Sequence, residues 1–483
     1  MISIIGAGIG GLSAGIRLAA AGHDVTIFEK NTAVGGKMSQ IEVGGYRWDT
    51  GPSVITMRHV FDELFAAAGK QLSDYIQLEP VAPLTRYFYP DGTILDASQD
   101  VEKMTSQLAQ LDPRDAVGYQ KYLDYVANLH RITGPVFIYD QPPTFKSFLR
   151  VPVTEWFKVD GHLKMAKVIK RYVHHPHIQQ LLGRFATYVG ASPYLAPGTL
   201  NVIAHVEMSG GVYYPKGGVY QVAAGMARLA QELGVKIRCG CGVAEILLKN
   251  GRISALRLEN GETIASQTVI SNVDVSTTHA SLLPATTNQA PQEPSCSGFI
   301  LLLGLDKMHP QLAHHNIFFS DNYPAEFDAI FKQEVPAQNP TIYSAITSKA
   351  DPTHAPEGCE NWFVLVNAPA KNSRFDWEAQ KEAYRNLVLN RLAENHGIDI
   401  RPHIQVEQIL TPDDLESGSG AWRGALYGAS SNNMMAAFKR PHNRSKKVAG
   451  LYFAGGTTHP GGGVPMVTLS GKVAAELVLE DLK

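Results

Sequence analysis

The sequence predicts an α/β protein: a parallel-sheet domain assembled from separated pieces of chain, with a second, α+β domain inserted into it. Three observations predict this. An apolar strand at 2–5 runs straight into Gly6-Ala7-Gly8-Ile9-Gly10-Gly11. A second glycine-rich corner between a strand and a helix lies at the far end of the chain, in 451–466. The length, 483 residues, exceeds what one core usually organises.

The opening segment is the most informative. After the strand at 2–5, Leu12, Ile16, Ala19 and Ala20 recur at helical spacing, Gly22 ends the helix, and Val25-Thr26-Ile27-Phe28 forms a second strand. The glycines fit G-x-G-x-x-G at a strand-to-helix turn. Gly6 turns the chain, Gly8 lets backbone approach a pyrophosphate, and Gly11 lets helix and strand pack closely. The helix N-terminus faces the phosphates with free N–H groups. Glu29, at the end of the second strand, is placed to bond ribose hydroxyls. The unit is therefore Rossmann-like, and by itself it does not separate NAD from FAD.

From about 76 to 200 the chain is rich in Tyr, Leu, His and Lys, is broken by prolines, and reads as mostly helical. Residues 210–285 return to α/β character. Gly217-Gly218 opens a helix through Leu233, Asn250-Gly251 and Asn260-Gly261 are hairpin turns, and Val269-Ile270 is a buried strand. Strands at 298–305, 341–347 and 361–367 precede a helix at 377–395. The tail, 448–483, is strand, glycine turn, helix. The expected division is a discontinuous cofactor domain (1–75, 205–285, 430–483) and a substrate domain (76–204, 286–429) with a helical, membrane-facing part.

Hydrophobic residues at 44% and charged residues at 18% exclude a disordered chain, and a net charge of -2 gives no footprint for nucleic acid. Cys239, Cys241, Cys296 and Cys359 form no CxxC pair or metal cluster, which fits a reducing cytoplasm. No metal site is expected. The N-terminus lacks the early positive charge of a signal peptide, and no apolar run approaches the ~20 residues of a membrane span.

Gly35-Gly36-Lys37-Met38-Ser39, closely following Glu29, resembles the second Gly-Gly-Arg/Lys segment of the glutathione-reductase-like flavoproteins, in their amine-oxidase and carotenoid-desaturase branch. Leu451 to Met466, with Ala454-Gly455-Gly456-Thr457-Thr458-His459-Pro460-Gly461-Gly462-Gly463-Val464-Pro465, resembles the closing motif of the phytoene desaturase family. Asp49-Thr50-Gly51-Pro52-Ser53, Tyr214-Pro215-Lys216-Gly217-Gly218 and Phe438 to Arg444 resemble further segments of that family. The resemblance implies an FAD-binding domain of glutathione-reductase type with an inserted substrate domain. It implies FAD contacts from Gly6, Gly8, Gly10, Gly11, Glu29, Lys30, Gly35, Gly36, Lys37 and Met38. It adds Gly51, Pro52, Ser53, Val243, Gly455, Gly456, Gly463, Val464, Pro465 and Met466. Lys37 is expected along the phosphates and ribityl chain, where Arg is commoner.

Thr457, Gly462 and Met466 depart from the phytoene desaturase pattern. With Arg86-Tyr87-Phe88-Tyr89-Pro90-Asp91-Gly92-Thr93, they look more like hydroxycarotenoid 3,4-desaturases and diapocarotenoid oxidases. The implied reaction is desaturation of a C–C bond beside a polyene by hydride transfer to flavin, with carotenoid oxidation as the alternative. An amine or porphyrinogen oxidase, and a prenyl-escort protein of the same fold, are the other readings. His459 is the candidate proton acceptor, and Arg131 and Asp140 are candidates for a tunnel wall. The carotenoid substrate is insoluble, so peripheral membrane attachment is expected. Lys158, Lys164, Lys167, Lys170, Arg171 and Arg184, interleaved with Phe157, Leu163, Met165, Val168, Ile169 and Tyr172, are its expected surface.

Overall fold

The computed structural model describes residues 1–144, 147, 149–284 and 292–483. The first sheet has five strands in the order β19-β13-β1-β2-β9, all parallel. They are β1 (Ile2–Ile5), β2 (Val25–Phe28), β9 (Lys236–Arg238), β13 (Val269–Ser271) and β19 (Leu451–Phe453). Parallel strands with both faces covered should read as unbroken apolar runs. The runs at 2–5 and 25–28 do, and every residue in them is buried. Helices Ile9–Ala20, Tyr220–Glu232 and Val464–Asp481 supply the apolar layers of this core. A strand near each end of the chain thus enters one sheet.

The helix at 220–232 starts on a cap from elsewhere in the chain. Asp49, buried at the end of β4 (Tyr46–Asp49), accepts the N–H groups of Val219 (2.8 Å) and Tyr220 (3.1 Å). A carboxylate at a helix N-terminus satisfies orphan donors and complements the dipole. The two motif segments around Asp49 and Gly217-Gly218 are thereby fixed to each other. A three-stranded meander, β10 (Val243–Lys249), β11 (Arg252–Leu258) and β12 (Thr263–Ala265), turns at the two Asn-Gly pairs.

The second large sheet has seven strands in the order β18-β14-β17-β16-β15-β6-β7. Its long centre is β14 (Ser297–Leu305) paired antiparallel with β17 (Glu360–Ala368), and helix Trp377–His396 packs on one face. β16 (Ile342–Ala345), β15 (His315–Phe318) and β18 (Ile404–Leu410) complete the C-terminal contribution. β6 (Thr85–Phe88) and β7 (Ile94–Ala97) correct the helical reading of 76–200. Arg86 to Thr93 is a hairpin whose alternate side chains, Tyr87 and Tyr89, are buried against Phe319. Helices then run from Val101–Leu111 and Pro113–Phe137 to Val202–Met208. The expected boundary at 285/286 touches residues outside the described ones.

The expected membrane-facing stretch is turned inward. Met165, Val168 and Ile169 are fully buried, Arg184 is 6% exposed, and Arg171 pairs with Asp160. Its apolar residues are the part that turns inward; Phe157 and the basic Lys158, Lys167, Lys170 and Arg171 remain exposed. Among the described residues no helix is long and apolar enough to cross a membrane, and no cluster of His, Cys, Asp or Glu is arranged to hold a metal.

Candidate active site

The carboxyl ends of a parallel sheet are where α/β proteins place their ligands. Here three glycine segments converge on Asn272, the residue just after β13. A Cβ on Gly8 would lie 2.6 Å from Asn272 Nδ2. One on Gly10 would lie 2.5 Å from Asn272 Oδ1 and 2.9 Å from the backbone nitrogen of Gly455. Gly8 also forms a bridge with Gly35, and Gly36 lies against the Gly8 Cα. The opening glycine loop, the second Gly-Gly segment and the tail are therefore one junction. Gly6 and Gly11 complete the loop, with no room for a Gly11 side chain beside the Gly6 carbonyl.

The other expected residues fall as follows. Glu29 is buried, and its two oxygens accept the N–H groups of Ala7 (2.7 Å) and Asn31 (2.9 Å), so it braces the glycine loop. Lys30 Nζ donates to the Ser417 carbonyl (3.0 Å). Val243 opens β10 in the core that contains Phe28. Met38 is buried. Gly51 crosses the Gly-Gly-Lys segment so closely that a Cβ would sit 1.9 Å from the Lys37 carbonyl oxygen. Pro52 and Ser53 follow, and Ser53 Oγ accepts the Tyr343 hydroxyl (2.5 Å). Gly455 N–H donates to Ser470 Oγ, while Gly456 accepts Arg440 Nη1. Gly463, Val464, Pro465 and Met466 begin the closing helix. The Gly463 Cα faces open space, and Met466 packs with Met57 and Leu469.

Two side chains do something other than expected. Lys37 turns its ammonium to the carbonyls of Ala425 (3.0 Å) and Leu426 (2.9 Å), strapping the two halves of the molecule together. Burial pushes its pKa down, and nearby Asp274 opposes that. His459 donates its Nε2–H to the Asp140 carbonyl oxygen (2.9 Å), which fixes Nε2 as the N–H nitrogen. Burial lowers its pKa to about 4, so the ring is neutral at pH 7. Its N–H is spent on holding the tail turn. Arg131 and Asp140 do not line a tunnel: they pair with Glu155 and Arg150 in solvent.

Sequence reasoning gave no role to Asn272, Arg440 or Asn443. Asn443 is fully buried, and its Nδ2 reaches the carbonyls of Phe453 (3.1 Å) and His459 (3.0 Å) and Ser470 Oγ (3.1 Å), bolting the tail in place. Arg440 bonds the Gly456 carbonyl and Ser431 Oγ but has no carboxylate partner among the described residues. Burial lowers its pKa to about 10. A small polar residue just past a buried strand was the available signal for Asn272.

Beside Ser53 a cavity of about 110 Å³ opens toward the seven-stranded sheet. Val54, Arg184, Tyr188, Tyr343 and Asn367 are among its walls. Arg184 Nη2 pairs with Glu207 (2.7 Å) and its Nε donates to the Tyr87 hydroxyl (2.6 Å), both deep in the protein. Behind Thr341 of the wall, the Glu326 carboxyl accepts from the Thr341 hydroxyl (2.7 Å) and N–H and from Ser320 Oγ. Burial raises its pKa from 4.5 to about 7 against those bonds. The folded protein thus holds a proton there that the unfolded chain releases above pH 4.5, so this contribution to stability is present at low pH and falls as pH rises from about 4.5 to 7. Urea midpoints of wild type and Glu326→Gln should converge near pH 4.5. At pH 7.5 the variant should be the more stable, by on the order of 3 kcal/mol. A pH-independent difference would contradict this.

Residues 9–479 match the family described as flavin containing amine oxidoreductase. The chain is 39% identical over 490 residues to 4,4'-diapolycopene oxygenase of a Methylomonas species, covering 100% of this chain and 98% of the relative. It is 38% identical over 487 residues to 1-hydroxycarotenoid 3,4-desaturase of a Flavobacterium species, covering 98% of each. The chain belongs to the flavin containing amine oxidoreductases, in their carotenoid desaturase and oxygenase branch. In fold it resembles an oxidoreductase from Methanosarcina mazei, with a TM-score of 0.63 at 16% identity over 99% of both chains. This flavoprotein is an FAD-dependent oxidoreductase. Its residues fit such a cofactor: the glycine junction leaves backbone bare and, among the described residues, the buried Asn272 Oδ1 has no hydrogen-bond partner and Arg440 has no counter-ion.

Proposed function

We propose that this flavoprotein dehydrogenates a carotenoid, removing two hydrogens from a saturated C–C bond beside the conjugated chain. The observation that supports this most is the cavity beside Ser53. It adjoins the segment that crosses Lys37 and is walled by the seven-stranded sheet and by the 184–188 segment. FAD, when bound, supplies a two-electron acceptor for hydride. The protein's own part is to hold, orient and exclude water. Gly6, Gly8, Gly10, Gly11, Gly35 and Gly36 would present bare backbone to the pyrophosphate, with Glu29, Lys30 and Val243 placed to hold the adenosine side. Lys37, Met38, Gly51, Pro52 and Ser53 flank the other half, and Gly455, Gly456 and Gly463 to Met466 close it. Hydride loss would leave a cation that the neighbouring double bonds spread, so no single side chain has to stabilise it, and the second hydrogen would leave as a proton to solvent.

A second reading, oxidation of the chain end with gain of oxygen, is favoured by the likeness to the Methylomonas diapolycopene oxygenase. Expression in cells accumulating different carotenoids distinguishes the two by product mass. Loss of two hydrogens with a red-shifted absorption supports desaturation, and gain of oxygen supports the second reading. Unchanged carotenoids in every strain, with yellow holoprotein present, would defeat both.

The substrate reading also requires contact with lipid. Leu149, Phe157, Met435 and Phe438 are large apolar side chains exposed by 69%, 82%, 52% and 41%. Phe137 packs edge-on against both Trp156 and Phe438, which brings these segments to one side of the molecule. Arg150, Lys158 and Lys439 adjoin them in sequence. Apolar side chains with basic neighbours suit an anionic bilayer surface. The protein should pellet with anionic liposomes at low salt. Phe157→Glu should weaken that binding by about tenfold or more, and equal pelleting of the variant would remove this surface from the reading.

A further inference from the structure

The cavity beside Ser53 is an unusual end-station for a hydrocarbon. Most of its lining side chains carry a hydrogen-bonding group, Thr187, Tyr323, Thr341 and Tyr427 among them. Its volume, about 110 Å³, is well below the ~300–1,000 Å³ of pockets that enclose a whole drug-sized ligand. It has room for the end of a long molecule, not its length. The hydroxyls of Thr187, Thr341, Tyr188 and Tyr343 are already bonded within the protein, so against a purely hydrocarbon end the donors left unpaired would be those of Arg184 and Asn367, which costs binding free energy.

We propose that Arg184 and Asn367 hydrogen-bond a neutral oxygen, hydroxyl or carbonyl, on the end group of the polyene. The inference rests on the carotenoid reading above and makes it specific. Arg184 is 6% exposed and rigidly held: Nε donates to Tyr87, Nη2 donates to Glu207, and the guanidinium lies over the rings of Phe185 and Tyr188. A guanidinium has five N–H bonds, so donors remain for the cavity it lines. Asn367, on β17, takes the Cys296 thiol on Oδ1 (3.7 Å), and its Nδ2 bonds no described residue. Both groups offer donors, so the partner they call for is an acceptor oxygen. Its charge follows from Glu207, which is 1% exposed and already neutralises Arg184. A carboxylate end would bring a second, unpaired anion into a closed space, whereas a hydroxyl or carbonyl oxygen brings none. A buried ion pair is a weak source of stability, and a binding role accounts for its position in a cavity wall.

The test uses the FAD-loaded full-length protein and three polyenes of equal carbon number, one hydrocarbon, one with a terminal alcohol and one with a terminal aldehyde, in anionic phospholipid vesicles at low salt. Affinity is read from quenching of protein fluorescence and turnover as kcat/KM. Wild type should favour an oxygenated polyene over the hydrocarbon by at least about tenfold in both measures. Asn367→Leu should bring that ratio to about two or less. Where that variant does not retain flavin, the paired substitution Arg184→Met with Glu207→Leu is read instead, with the same expectation. A ratio near one in wild type, or a ratio unchanged in the variants, overturns this inference and leaves the carotenoid reading standing. Failure of all three polyenes to bind or react overturns both.

Discussion

Gly10→Ala is expected to yield a folded protein that purifies without yellow flavin absorption. The added methyl would lie 2.5 Å from Asn272 Oδ1 and 2.9 Å from the Gly455 nitrogen. Real Cβ contacts are not this short, and one of the two neighbours is backbone. The glycine loop or the tail must therefore move, at about 1–3 kcal/mol for overpacking. The displacement falls where both loops meet, so FAD affinity should drop about a hundredfold or more. Titration of the apoprotein with FAD, followed by flavin fluorescence, measures this. Gly418→Ala is the control, because a Cβ there meets nothing within 4 Å. A Gly10→Ala protein as yellow as the control would show that the two loops do not share one cofactor.

Glu207→Ala should be the most destabilising single substitution near the cavity, by about 3–5 kcal/mol in urea unfolding. It removes the partner of a guanidinium that is 6% exposed, and it also leaves the Tyr188 hydroxyl without its acceptor. Removing both charges, with Arg184→Met and Glu207→Leu, should restore most of the loss, because an apolar pair of similar volume leaves nothing unpaired. A single variant within about 1 kcal/mol of wild type would mean that water reaches the pair.

What the sequence made legible was local. The βαβ opening, the Asn-Gly turns and the tail corner announce themselves within a few residues, because turn geometry and strand patterning are short-range. What it hid depends on partners far along the chain. The hairpin at Arg86 to Thr93 looked like part of a helical tract, yet β6 is a strand because it pairs in parallel with β15, which comes much later. The residues at 165–169 read as one face of a lipid-facing helix until the surrounding helices buried them. Lys37 was assigned to phosphates, and its observed acceptors are carbonyls at 425 and 426. His459 was read as a base, and its ring reaches the carbonyl of Asp140. Asn272, Arg440 and Asn443 owe their places to glycines, carbonyls and hydroxyls far along the chain, which no spacing rule reveals.

The meeting of Gly10 with Gly455 also sets an order of events in the cell. The loop that begins the site leaves the ribosome early, whereas the turn that completes it emerges only after roughly 450 other residues, at about 5–20 residues per second. On the proposed cofactor site, the nascent chain would carry half a flavin pocket for tens of seconds. Tight loading of the cofactor is therefore a late step of biogenesis, and an interrupted message gives a colourless fragment, not a partly active enzyme.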